Sequence, residues 1–327
     1  MKQSLFCDQS SRMLLWWLLL TSSSSNALQP TGINVQPIPQ QQQQEYSRRS
    51  FAMATASMVT LSLFPSANAQ AMVINPKTGI ALPEKEEIEQ SIPVDWTDVE
   101  NPFQSSSNRQ FGRLDGSPDS MFYQAPRFVE HVDEPAVKTM TSYISQQAIP
   151  AAAAKVGDDD VRVLDLCSSW TSHIDLDAVG GRKPKRISGL GMNDKELAGN
   201  PVLDDWVVKD LNEDPKLPYE DNSFDVVLCQ LSIDYLTKPL QVLQEASRVM
   251  RPGGTIHILF SNRLFLSKAI ALWTGADDID HAYTVGCYLH FCGGGFQNIQ
   301  AKDLSIRKGK DRLIASDPLY VVTATKG

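Results

Sequence analysis

LPYEDNSFDVVLCQLSIDYLTKPLQVLQEASRVMRPGGTIHILFSN, residues 217–262, is the stretch whose reading decides the fold. Residues 224–231 form a short apolar run rich in Val and Leu, which predicts a buried strand. From Pro239 to Met250 the apolar residues Leu240, Val242, Leu243, Ala246 and Val249 recur at helical spacing, so this segment predicts a helix with one core face. Pro252-Gly253-Gly254 should stop that helix and turn the chain into another strand over 254–261. A strand, a helix and a strand in that order make a parallel crossover unit.

Working outward, VRVLDL (161–166), RISGL (186–190) and DWVVKDL (205–211) read as further strands, and residues after Pro135 (Ala136, Val137, Met140, Tyr143, Ile144) as a helix laid against the start of the domain. Near the end, AKDLSI and DPLYVVTAT are strand-like runs joined by RKGKDR, suited to an antiparallel edge pair. The expectation is an α/β fold. It is a Rossmann-like, doubly wound sheet of about seven strands, mostly parallel with an antiparallel edge pair, and helices on both faces.

The chain has 327 residues, 42% hydrophobic and 21% charged, with a net charge of −8. That composition excludes a multispan membrane protein and a wholly disordered chain. The acidic balance argues against nucleic acid as a partner and against anionic membrane surfaces. Five cysteines without a C-x-x-C pair form neither a disulfide framework nor a zinc site, and no metal is expected. His281, Cys287, His290 and Cys292 lie in an apolar stretch whose spacing fits a helix ended by Gly293-Gly294-Gly295.

The first seventy residues read as addresses. Residues 1–27 have a weakly basic start, the apolar core MLLWWLLL and small residues before Leu28, the parts of a secretory signal peptide whose core is too short to span a bilayer. Residues 28–69 read as a transit linker followed by a second signal. There, Arg48-Arg49, a mildly apolar run and Ala67-Asn68-Ala69 resemble a twin-arginine signal. Two signals in series resemble the addressing of plastids inside an endomembrane-derived envelope, with the thylakoid lumen as the second destination. No stable membrane insertion is expected after processing. Residues 70–110 are polar and punctuated by proline, a flexible lead-in arm, and residues 111–327 form the domain.

The ordered run from "LPY-x-D-x-SFDVV" through "RVMRPGG" resembles the central block of class I S-adenosylmethionine-dependent methyltransferases. The segments FYQAPRFVEHVD, DLCSSWTSH and GLGMN further resemble a methyltransferase-like group of plants, algae and cyanobacteria. The resemblance implies S-adenosylmethionine as cofactor, held by a glycine-rich turn after the first strand, a ribose-binding acid after the second and an adenine contact after the third. Carried over by position, it assigns Asp165, Leu166, Cys167 and Ser168 to the turn. It assigns Gly191, Met192 and Asn193 to the second element, Asp210 and Leu211 to the third, and Gln230 to the end of the fourth strand. Two departures stand out. Cys167, Ser169 and Thr171 replace glycines, and Gly191 replaces the ribose acid, with Asn193 or Asp194 as substitutes.

Methyl transfer from a sulfonium demands proximity and orientation, and a base only where the acceptor must lose a proton. His173, Asp234 and Tyr235 are the candidates near the expected mouth, whereas His257, alternating with Ile256 and Ile258, reads as a structural histidine under a helix. No N/D-P-P-Y motif follows the fourth strand, which points to a small-molecule acceptor. Two functions remain: a methyltransferase, or a catalytically inactive fold kept as a binding or assembly factor in the plastid.

Overall fold

The computed structural model describes residues 82–104, 109–156, 160–179, 183–308 and 313–327. The two address signals and residues 70–81 of the arm lie outside them. The strands are β1 (Arg162–Ser168), β2 (Arg186–Gly191), β3 (Asp205–Val208), β4 (Phe224–Gln230), β5 (Met250–Phe260), β6 (Phe296–Asp303), β7 (Arg307–Lys308), β8 (Leu313–Ile314) and β9 (Tyr320–Lys326). Seven of them form one sheet in the order β3-β2-β1-β4-β5-β9-β6. The first five pair in parallel, and β9 runs antiparallel to both β5 and β6. Because β1 is flanked by β2 on one side and β4 on the other, the connections diverge above its carboxyl end. Open α/β sheets bind ligands at such a divergence.

Alternation along each strand divides the core. Val163, Val226, Leu228 and Leu259 face one side, where they pack with Met140, Ile144, Ile149 and Ala152. Leu164, Leu166, Val227, Cys229, Ile256 and Ile258 face the other, against Val242, Leu243, Ala246 and Leu289. A sheet covered on both faces reads as continuous apolar runs, as β4 does.

The helices are α1 (Glu87–Gln90), α2 (Asp119–Phe122), α3 (Glu134–Tyr143), α4 (Ile149–Val156), α5 (Asp194–Gly199), α6 (Pro239–Val249) and α7 (Asp278–Phe291). Asp133 caps α3 by accepting from the Ala136 amide at 3.1 Å, and a π-helical turn over Ile144–Ala148 carries that helix into α4. The Tyr143 hydroxyl meets His257 Nδ1 at 2.9 Å. His257 is therefore a buried structural ring under the helix, as its alternation suggests.

Several boundaries differ from the sequence reading. The Pro252-Gly253-Gly254 turn lies inside β5, where the register against β4 slips between Phe224 and Val226. The chain there bulges and does not break the ladder. The edge strand β6 begins at Phe296, five residues ahead of AKDLSI, and the polar connection to β9 holds the small β7–β8 hairpin. The arm also departs from flexibility where it is described. Ile88 and Ile92 are buried, Trp96 stacks on His290 with ring centroids 4.6 Å apart, and the Asp303 amide donates to Glu89 at 2.8 Å. A Cβ on Gly286 of α7 would sit 2.7 Å from Ile92, so glycine there admits the arm.

Residues 109–132 cross the carboxyl edge of the sheet as a strap. Its start is sewn to residues 267–272 by Asp115 N to Ser267 O and Ala271 N to Gly112 O, both 2.8 Å. Lys268, fully buried, donates to Ser117 O at 2.8 Å and lies 3.1 and 3.4 Å from the Asp115 and Asp119 carboxylates. Asp119 also takes Arg113 Nη1 on both oxygens at 2.8 Å. Among the described residues, no helix is long and apolar enough to cross a membrane.

Candidate functional site

The turn after β1 is built on Asp165. Its carboxylate, 1% exposed, accepts from Ser168 Oγ at 2.5 Å, Ser172 Oγ at 2.6 Å and Gln230 Nε2 at 2.9 Å. Burial pushes this carboxyl up, opposed by those three bonds. Ser168 and Ser172, beside the positions where glycines are replaced, thus hold the turn through their side chains. Cys167 adopts φ 60°, the left-handed conformation in which glycine is easiest, and it bears the strain of a Cβ there, of order 1–2 kcal/mol. Ser169 and Thr171 are not left-handed, so those two positions do not require glycine. Cys167 packs on the same core face as Cys229, and the neighbouring Cys167 thiol together with burial pushes the Cys229 thiol well up.

At the end of β2, Gly191 has a physical reason to lack a side chain. A Cβ there would stand 2.1 Å from the Ser168 carbonyl oxygen, because the turn after β1 lies directly on it. The expected substitutes are occupied elsewhere. Asn193 Oδ1 caps α5 by accepting from the Lys195 and Glu196 amides, and its Nδ2 donates to Tyr123 O at 2.8 Å. Asp194 Oδ1 accepts from Trp206 Nε1 at 3.0 Å.

A cleft of about 330 Å³ opens over the ends of β1, β2 and β4, within the usual size of small-molecule sites. Of the residues singled out in the sequence, Asp165, Cys167, Ser168, Gly191, Met192, Asp210, Leu211 and Gln230 line it, as do His173 and Tyr235. Asn193 is not in its wall, for the capping reason just given. Leu166 is 0% exposed and points into the core, and Asp234 is 4% exposed and sits behind the wall. Burial pushes the Asp234 carboxyl up to about 8, and its Oδ2 has no hydrogen-bond partner. Asp210 Oδ1 accepts from the Asn212 amide at 2.8 Å, which fixes the turn after β3 beside the buried Leu211.

His173 is engaged on both sides. Gln230 Nε2 donates to Asp165 and Ser172 O, which orients the amide and presents its Oε1 to His173 Nδ1 at 2.8 Å. Glu130 Oε2 lies 3.0 Å from Nε2. Both ring nitrogens are thus turned to protein oxygens. Hydrogen bonding to His173 holds the Glu130 carboxyl low. The Tyr235 hydroxyl accepts from the Phe265 amide at 2.8 Å, and burial raises its pKa far above the usual phenol range.

Several wall residues were missed from sequence. The strap contributes Tyr123, Arg127, Glu130 and His131, and the loop after β5 contributes Phe265. Arg127 lies over the Phe122 ring at 4.4 Å, and His131 meets Phe265 edge to face at 5.5 Å. Burial lowers the His131 pKa, which favours a neutral ring. Asn212 Nδ2 donates to Asp119 at 2.8 Å and to Tyr235 O at 2.9 Å, tying strap to sheet. The sequence reading placed a helix after Pro135 against the start of the domain and assigned no cover to this edge. Elsewhere, His281 stacks on Trp273 at 4.1 Å in α7, which supports the helical reading of that stretch.

The cleft fits a nucleoside-sized ligand in volume, in the left-handed turn beneath it and in the apolar Leu211 beside Asp210. The end of β2 supplies no acid for ribose hydroxyls.

Residues 189–258, from β2 to β5, match the family model described as a methyltransferase domain. The ubiquinone/menaquinone biosynthesis C-methyltransferase UbiE of Roseobacter denitrificans is 42% identical over 110 residues, which cover 34% of this chain and 36% of that protein. The human thiol S-methyltransferase TMT1B is 35% identical over 74 residues, covering 18% of this chain and 30% of its own length. The chain thus spans about a third of the length of these curated relatives. Among solved structures, a S-adenosylmethionine-dependent methyltransferase from Methanosarcina mazei aligns with TM-score 0.38 at 14% identity, covering 54% of this chain and 97% of that one. Residues 189–258, in the parallel part of the seven-stranded sheet, are thus similar to a methyltransferase domain.

Proposed function

We propose that the chain is an S-adenosylmethionine-dependent methyltransferase acting on a small-molecule acceptor. The observation that carries the reading is the cleft at the divergence of β1 and β4, with the left-handed Cys167 turn on one wall and Asp210-Leu211 on another. When bound, the sulfonium supplies an activated methyl group for in-line attack by a nucleophile. The backbone of 167–169 lets a ligand approach closely, Leu211 gives the apolar wall a purine needs, and the strap excludes water from above. His173 and Tyr235 hold structure, and Asp234 is walled off. His131, at the mouth with its pKa lowered, is the group placed to accept a proton there. A site with so little basic equipment suits acceptors that are already nucleophilic at neutral pH. Relatives named for carbon and for sulfur methylation accord with that class.

Calorimetric titration of the full chain with S-adenosylmethionine, and separately with S-adenosylhomocysteine, tests the reading. Micromolar binding supports it. No heat, together with no thermal stabilisation at millimolar ligand, overturns it. A second reading, an inactive methyltransferase fold kept as a binding or assembly factor, is favoured by Gly191 pressed on Ser168 and by the commitments of Asn193 and Asp194. The same null titration would favour that alternative.

We also propose that residues 1–69 deliver the protein to a plastid, with the thylakoid lumen as the second signal's destination, on the strength of the serial signals alone. A reporter fused to residues 1–69 that stays cytosolic would sink the proposal.

A further inference from the structure

The cleft holds a carboxylate that no sequence pattern marked. We infer that Glu196 is the acceptor for the ribose hydroxyls of the bound nucleoside, doing from α5 what the end of β2 cannot do; this rests on the cofactor reading above. Glu196 lies in the cleft wall with 9% exposure. It belongs to the element directly after β2, the part of an open sheet from which a ribose-binding acid comes. Its carboxylate is held in place from both sides. Oε1 accepts from the Arg127 amide of the strap at 2.6 Å, and Oε2 from Ser169 Oγ of the turn after β1 at 2.6 Å. Each carboxylate oxygen has a second lone pair, so two fixed acceptor positions remain. Vicinal hydroxyls are two donors at a spacing that a single carboxylate can meet.

The other acids of the cleft are accounted for. Asp165 is taken by three donors and Asp119 by Arg113, Lys268 and Asn212, while Glu130, on the strap, and Asp210, after β3, do not follow β2. Gly191 has no side chain and no room for one. The loss of an acid at 191 and the presence of one at 196 are therefore two sides of one arrangement. With the turn resting on Gly191, the acceptor is set five residues further along.

The test is a binding cycle on the full chain. S-adenosylhomocysteine and its 2′-deoxy and 3′-deoxy ribose analogues are titrated into the unaltered protein, into Glu196→Gln and into Ser169→Ala, and thermal unfolding without ligand checks that each variant folds. Glu196→Gln should weaken S-adenosylhomocysteine about tenfold or more, the usual loss for a charged hydrogen bond. The deoxy analogues, each of which keeps one hydroxyl on the carboxylate, should lose clearly less than the parent, since one of the two bonds is already missing. Ser169→Ala, which removes only a support of the carboxylate, should show the same pattern across the three ligands to a smaller degree. An equal loss for all ligands in Glu196→Gln would make Glu196 a mere latch between strap and turn and overturn the assignment, as would no loss at all. If Glu196→Gln does not fold, discrimination by the unaltered chain decides: equal affinity for parent and deoxy ligands overturns it. Failure of the unaltered protein to bind S-adenosylhomocysteine would instead overturn the cofactor reading along with it.

Discussion

One methyl group added at Gly191 would press on the Ser168 carbonyl, and the turn after β1 would have to move to admit it. Gly191→Ala should therefore cost about 1–3 kcal/mol, with loss of ligand binding beyond that expected from stability alone, as read by denaturant unfolding and titration. Cys167→Gly runs the other way, since it relieves a left-handed Cβ. Its midpoint should rise, by up to about 1 kcal/mol after the entropy of glycine in the unfolded chain is subtracted. His257 supplies a pH dependence. Burial lowers it from 6.5 to about 4, so the unfolded chain gains a proton below pH 6.5 that the folded one refuses. Stability is complete above that pH and is lost as pH falls through 4, by about 3 kcal/mol in all. His257→Gln should flatten the fall in unfolding midpoint between pH 6.5 and 4. The sequence announced His257 by its alternation. It marked Gly191 only as a departure from the family pattern and did not mark Glu196, because a close contact between two loops and a side chain reaching back from a short helix leave no periodic trace.

Among elements, the strands and the helix of 217–262 were legible because burial on both faces of the sheet forces continuous apolar runs and burial on one face of a helix forces a 3.6-residue period. The strap over 109–132 was not. It is held by single polar contacts, such as Lys268 to Ser117 and Asn212 to Asp119, which any polar loop sequence could contain. Lys268→Met should cost about 3–5 kcal/mol, since it leaves Asp119 and Asp115 short of a buried cation. Combining it with Asp119→Asn should cost less than the sum of the two, a non-additivity that denaturation of the four chains would measure. The arm was misjudged for a related reason. Its proline punctuation marks irregular backbone correctly, but irregular backbone can be packed when a smooth helix face with Gly286 receives it. Gly286→Val should loosen the arm and make residues 82–104 sensitive to limited proteolysis while the sheet persists.

Over the whole molecule, the strap and arm precede the first strand yet close over the finished sheet. Asp133 and Asp317 exchange amide-to-carboxylate bonds of 2.9 Å across 184 residues, and Glu89 reaches Asp303 across 214. Contacts so distant in the chain pay their closure entropy late. The part of this structure that leaves the ribosome ahead of the sheet is thus the part that must wait for the last strand. Until residues 267–272 are in place the strap has nothing to be sewn to, and a nascent chain stalled before them would display an open, unready edge to any chaperone or transport machinery that meets it.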